Sequence, residues 1–303
     1  MKIGIPLFRL RAAPMIEVAK HAEAFGFESV WVPEHLVLPT RFESRYPYSE
    51  DGLSPLRPDT PHLDPLIVLA QIAALTSRIR LGTNIFILPL RHPLVTARMA
   101  TSLHVLSGGR VSLGIGVGWL EEEFRAVGID FRTRGARARE CVLALKALWT
   151  QAEPEFHGRF FDFGPVKFEP KPAQVPHPPL LFGGESEAAL RRAAALGDGW
   201  YGVAHDARSA AACVAKLRAL RAEAGREREP FEVTVGHRGG AIGEGVLQAY
   251  AAAGVDRVTV LPWWSAREAD EKLAELAEIA GRVRGGGAEE PTRGLPRGPT
   301  GGC

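Results

Sequence analysis

Short runs rich in β-branched and aromatic residues alternate with longer helical stretches from one end of this chain to the other, eight times over. That alternation constrains the fold more than any other feature, because neighbouring parallel strands need a crossover of a dozen or more residues, usually a helix. Strands are expected at 2–8, 28–33, 79–88, 111–117, 179–183, 198–203, 231–236 and 257–262, each apolar enough to be covered on both faces. Several helix ends are legible between them. Asp64-Pro65 places a capping carboxylate before proline at the first helical position and opens Leu66–Thr76. Pro93 opens 93–107, which Gly108-Gly109 stops; helix 132–150 is Arg-rich outside; Ser186 opens Ala188–Leu196, which Gly197 closes. Eight βα units in one series fit an α/β fold of the closed (β/α)8 type, a TIM barrel, better than an open doubly wound sheet, and function then gathers at the C-terminal ends of the strands.

The 303 residues are read as one barrel domain, 1–284, followed by a disordered Gly/Pro-rich tail, 285–303, which has no apolar periodicity. A net charge of +2 gives no concentrated basic face for nucleic acid or an anionic membrane. No run approaches the roughly 20 apolar residues of a membrane span, and the N-terminus lacks the apolar core of a signal peptide, so a cytoplasmic protein is expected. Cys141, Cys213 and Cys303 are far apart and odd in number, which argues against a disulfide framework or a thiolate metal site. Two connections are long: 36–63 after the second strand, read as a lid over the active face, and 152–178 after the fourth helix. Within the latter, Phe156-His157-Gly158-Arg159-Phe160-Phe161 reads as a small hairpin whose aromatics pack on the barrel rim.

Several chemistries are excluded by motif. None of the nine histidines falls in H-x-H or H-E-x-x-H spacing, and no metal is expected. There is no G-x-S-x-G elbow and no phosphate-binding G-x-x-x-x-G-K-[ST] loop. Gly114-Ile115-Gly116-Val117-Gly118 lacks the third glycine of a dinucleotide fingerprint, since Trp119 stands there. What remains lies at strand ends. His35 follows the second strand, where an imidazole can exchange a proton near neutral pH. Asn84 is polar inside an apolar run and needs a partner. The glycines at 114–118 either admit a flat ligand to the backbone or fit the barrel's taper. Gly183-Gly184-Glu185-Ser186 runs into a helix start that either holds a phosphate or is a plain cap.

Taken together and in order, W-V-P-E-H, L-G-T-N-I, G-V-G-W-L-E-E-E-F, F-H-G-R-F-F-D-F, F-G-G-E-S-E-A-A-L and G-D-G-W resemble the bacterial luciferase-like monooxygenase superfamily, most closely its coenzyme F420-dependent oxidoreductase branch. The resemblance covers residues 1–284 and implies a TIM barrel with its cofactor across the C-terminal face. It implies that His35 acts in proton transfer or ring contact and that Asn84-Ile85 forms a non-prolyl cis peptide backing the ring. It implies further that Gly116, Val117, Gly118 and Trp119 flank the cofactor and that Gly183, Gly184 and Ser186 hold its phosphate. A small-molecule substrate, two-electron transfer at the deazaflavin and a homodimer follow from the same resemblance.

Two departures stand out. Trp119 occupies the position of a catalytic glutamate in the F420-dependent sugar-phosphate dehydrogenases, which favours an apolar or aromatic-compatible pocket. Glu185 would repel an anion beside it unless its side chain points to solvent, with Arg191 and Arg192 as weak candidates to offset it. His237 and Arg238, after the seventh strand, are candidates for contact with the cofactor's tail or the substrate, or else for surface ion pairs. The rival readings are an FMN-dependent monooxygenase of the same superfamily, a cofactor-free barrel lyase or hydrolase, and a non-catalytic cofactor-binding barrel.

Overall fold

A computed structural model describes residues 1–285 except Trp264 and Ala266, so the expected tail lies outside the described residues apart from Gly285. Eight parallel strands close a barrel: β1 (Lys2–Pro6), β2 (Ser29–Val32), β3 (Arg80–Thr83), β5 (Val111–Gly116), β8 (Leu180–Gly183), β9 (Gly199–His205), β10 (Glu232–His237) and β11 (Arg257–Thr259), with β11 pairing back onto β1. The expected strand 79–88 is broken in two. After Thr83 the chain leaves β3 and re-pairs with β5 as β4 (Phe86–Ile87), Phe86 opposite Ile115. The interruption is Asn84-Ile85, joined by a cis peptide bond.

Helices α1 (Ala12–Ala24), α2 (Pro65–Leu75), α3 (Pro93–Leu106), α5 (Arg134–Thr150), α6 (Glu187–Leu196), α7 (Ala207–Glu223), α8 (Glu244–Ala252) and α9 (Ala269–Gly285) surround the strands. A short extra helix, α4 (Glu121–Ala126), follows β5. The expected caps are in place: Asp64 Oδ1 accepts from the Leu66 and Ile67 N–H groups, and Ser186 Oγ from Ala189 N–H. The second insertion does contain a hairpin, β6 (Phe156–His157) with β7 (Asp162–Phe163). Its aromatics pack on the core, Phe161 buried with Phe156, Phe160 and Phe163 against it, and Glu140 on α5 accepts the N–H groups of Arg159, Phe160 and Phe161.

Alternation along each strand sends Ile3, Ile5, Val30, Val32, Leu113 and Val258 outward into the main core beneath the helices. The inward face is filled unevenly. Trp31, Leu181 and Tyr201 form a separate buried cluster with Ile85 against it. Trp31 occupies space that adjacent strands leave empty: a Cβ on Gly82 would lie 2.2 Å from its ring, and one on Gly4 2.6 Å. Below it, Arg257 lies 5.2 Å from the Trp31 ring centroid and closes the N-terminal end by pairing with Glu28 at 2.6 Å and with Glu232.

Gly82→Ala should therefore overpack the interior and lower stability by about 1–3 kcal/mol. Urea unfolding measures this, and Trp31→Phe in the same chain should return part of the loss.

Candidate active site

The strand ends converge on one face, and the break between β3 and β4 sets its floor. Ile85 is wedged over the glycines opposite: a Cβ on Gly116 would come within 2.8 Å of its side chain, and one on Gly183 within 3.1 Å. Those glycines thus make room for Ile85, and Ile85, half-buried, forms an apolar shelf at the mouth. Gly118, at φ +79°, turns the chain after β5 where a side chain would strike Phe124 and Ile87, and Val117 is carried half-buried between the two glycines. Asn84 Nδ2 donates to Tyr201 Oη at 3.3 Å, and Tyr201 in turn bonds Thr259 at 2.7 Å. Asn84 Oδ1 is buried without a hydrogen-bond partner.

The preceding loop is held by a carboxylate the sequence did not single out. Glu34 Oε2 accepts Ile87 N–H at 2.5 Å, and Oε1 lies 2.6 Å from Arg91. Burial pushes Glu34 up to about 7, against the pull of Arg91 and the Ile87 N–H. The pair ties the end of β2 to β4, on either side of the Asn84-Ile85 break.

His35 is fixed by a second such carboxylate. Glu123, fully buried on α4, lies with Oε2 3.1 Å from His35 Nδ1, while its Oε1 accepts Leu36 N–H at 2.5 Å. A carboxylate only accepts, so this contact places a ring proton on Nδ1 and leaves Nε2 as the nitrogen available to a reactant. His35 sits between two rings at nearly right angles, His62 at 5.6 Å and Trp119 at 5.9 Å. Burial, and then the neighbouring His35, hold His62 below the usual histidine range.

Insertion 36–63 folds over this group. Trp119 packs against Phe42 and Tyr46, and Tyr46 against Tyr48. The acidic run on α4 fastens it: Glu122 accepts Glu43 N–H at 2.5 Å, Ser44 N–H at 3.0 Å and the Ser44 hydroxyl at 2.5 Å. Burial alone would raise Glu122, but the Ser44 hydroxyl and the backbone N–H groups outweigh it and bring it to about 2. Under the insertion, between residues 55–63 and the ends of β1 and β2, lies a cavity of about 460 Å³ lined by Phe8, Leu10, Met15, Pro33, Leu56 and His62.

At the end of β8, Gly184 has φ +105°, and Ser186 uses its Oγ to cap α6. Glu185 does not point to solvent. Its Oε1 turns inward to accept Val203 N–H at 2.8 Å and lies 3.3 Å from His205 Nε2, while its Oε2 is buried without a hydrogen-bond partner. Arg191 is taken up by Glu187 and Glu223 and does not face Glu185. His237 is held by Tyr250 and the Gly240 carbonyl, and Arg238 lies 3.8 Å from Glu50 and also acts on Asp206. Among the described residues no group of three His, Cys, Asp or Glu side chains is placed to hold a metal, and no helix is long and apolar enough to cross a membrane.

The family profile of luciferase-like monooxygenases matches residues 8–296. The chain belongs to that family. An uncharacterised protein of Mycobacterium tuberculosis is 37% identical over 220 residues, 73% of this chain and 75% of its own. The FMNH2-dependent dimethylsulfone monooxygenase of Pseudomonas putida is 38% identical over 112 residues, 36% of this chain and 31% of that protein. Among solved structures, an F420-dependent secondary alcohol dehydrogenase superposes with a TM-score of 0.76 at 17% identity, covering 93% of this chain and 99% of its own. The F420-dependent tetrahydromethanopterin reductase of Methanopyrus kandleri gives 0.71 at 16%, covering 92% and 97%. Both share the barrel.

Two outcomes follow from the carboxylates. Arg91→Ala leaves buried Glu34 with Ile87 N–H as its remaining partner, so that it takes up a proton at neutral pH, and should cost about 1–3 kcal/mol in urea unfolding. Because Glu122 is depressed below its ordinary 4.5 to about 2, its tie to the insertion is complete above pH 4.5 and is lost as pH falls toward 2. Hydrogen-exchange protection of the Glu43 and Ser44 amides, corrected for intrinsic rate, should fall over that interval.

Proposed function

We propose that this protein is an oxidoreductase that transfers a hydride between coenzyme F420 and a small organic substrate. The observation that carries the reading is the buried, unpartnered Asn84 Oδ1 beside the Ile85 shelf. An unmet buried acceptor costs about 1–3 kcal/mol, and a flat heterocycle with a ring N–H supplies the missing donor while resting on an apolar surface. Asn84, Ile85, Gly116, Val117, Gly118 and Trp119 would hold the ring. Gly183, Gly184 and the backbone at Ser186 would hold its phosphate, because the first N–H groups of a helix suit an anion.

When bound, the deazaflavin supplies the two-electron chemistry, and the chain supplies orientation and proton handling. Glu123 keeps the His35 ring in one orientation, so that Nε2 holds or hands on a proton to the reacting group. Trp119, packed on Phe42 and Tyr46, stands beside the His35 ring and makes its surroundings apolar. The cavity beneath the insertion takes the body of the substrate: Phe8, Leu10, Met15 and Leu56 suit an apolar part of it, and Arg9, Arg11, Arg57 and Asp59 on the same lining a polar or charged part. The F420-dependent secondary alcohol dehydrogenase and tetrahydromethanopterin reductase, which share the fold, support this choice of cofactor.

A second reading, an FMN-dependent monooxygenase, is favoured by the identity to the dimethylsulfone enzyme. Titrating the purified protein with each cofactor separates the two: binding of F420 is expected, and submicromolar binding of FMN with none of F420 overturns the first reading. His35→Ala should lower turnover by about 100-fold or more while leaving cofactor affinity nearly unchanged. Equal losses in both would remove His35 from proton transfer.

A further inference from the structure

Arg134 and Arg192 come together beside the mouth, and neither side chain has an ion pair among the described residues. Arg134 is the first residue of α5, and Arg192 lies on α6. The place a Gly135 Cβ would take is 3.4 Å from Arg192 Nη1, so the bare backbone there lets the guanidinium rest against the first turn of α5. In each arginine, Nε is buried and has no hydrogen-bond partner. Arg134 donates from Nη1 to the Phe131 carbonyl at 2.9 Å and covers the Phe131 ring at 3.8 Å. Arg192 makes no hydrogen bond or ion pair among the described residues.

This arrangement is electrostatically unfavourable by itself. Burial, and then the neighbouring charge of Arg134, hold Arg192 below the usual arginine range. The first turn of α5 contains no acidic residue, so the positive end of a 17-residue helix adds to the repulsion. Of the nearby carboxylates, Glu121, exposed and 3.6 Å from Arg125, is the one whose charge also reaches Arg134, while Glu187 meets Arg191 and Lys216 and Glu140 holds the hairpin. Guanidinium keeps its charge even when half-buried, and its planar fork matches a phosphate or carboxylate.

We propose that Arg134 and Arg192 form a binding site for a phosphate or carboxylate group. Arg192 is six residues beyond Ser186, about 9 Å down the helix axis at 1.5 Å per residue. The two guanidiniums are thus side-chain donors distinct from the backbone N–H groups at the start of α6. The anionic tail that F420 carries beyond its ring is one source, and free phosphate is the other. The assignment to the tail rests on the function proposed above; the anion site does not.

The test uses the full chain. Inorganic phosphate should raise the melting temperature of the wild type and leave that of Arg192→Gln unmoved. In calorimetric titration, Arg192→Gln should weaken F420 by about tenfold and leave the deazaflavin lacking phosphate and tail unchanged. Arg134→Gln should behave alike and stands in if the first variant fails to fold. Without anion, Arg192→Gln should be at least as stable as the wild type, since a like charge is gone, whereas Arg134→Gln also loses its bond to the Phe131 carbonyl. A phosphate response with no binding of either deazaflavin upholds the site and removes the F420 reading. A loss of F420 affinity with no phosphate response upholds the site as one for the tail. A phosphate response equal in the wild type and both variants, with F420 affinity within about twofold, overturns the proposal.

Discussion

Trp31 fills the middle of the barrel, and the strands around it are adapted to its ring. An eight-stranded barrel has an interior only wide enough for side chains. Here the volume comes from Trp31, Leu181, Tyr201 and Arg257, and neighbouring strands yield it by presenting Gly4 and Gly82. The same division recurs one layer higher, where Ile85 lies over Gly116 and Gly183. The floor of the mouth is thus the top of a packed column, and a shift of Trp31 would be felt at Ile85 through the cluster they share.

Above that column, buried carboxylates are used chiefly to hold loop backbone. Glu34 takes Ile87 N–H, Glu123 takes Leu36 N–H, Glu122 takes Glu43 and Ser44, and Glu185 takes Val203. Loops at a barrel mouth lack ladder partners for their N–H groups, and unmet donors are costly. A carboxylate offers two accepting oxygens at one point, so one side chain both orders a loop and leaves an oxygen for a histidine or an arginine.

The barrel was legible in the sequence because its strands are continuous apolar runs and its helices begin and end on recognisable caps such as Asp64-Pro65 and Ser186. The break at Asn84-Ile85 was visible only through family likeness, since 79–88 reads as one strand by hydropathy. Glycines 116 and 183 drew attention as an approach for a ligand, yet their local partner is Ile85, a contact between strands that no spacing along the chain displays. Glu34 and Glu123 were missed as anchors for the same reason: each meets its partners across about 50 to 90 positions of sequence, and an acidic run on a short helix looks like an ordinary solvated surface. Glu185 was judged by its charge alone, while Val203 and His205, the partners of its Oε1, lie on another strand.

Glu122 and Glu123 are consecutive on the six-residue α4, one fastening the insertion at Glu43 and Ser44, the other orienting His35. Successive residues on a helix point about 100° apart, so a single-residue insertion or deletion within α4 would misalign both attachments together. Tyr46, which packs on Trp119, and Tyr48, which packs on Tyr46, belong to the same fixed part, whereas the turn at 49–54 is bonded within the insertion itself. The fold therefore separates a stretch tied to the reaction centre from a turn with fewer constraints on its length and composition. Descendants of this chain can remodel what covers the cavity while the proton-bearing ring stays where it is.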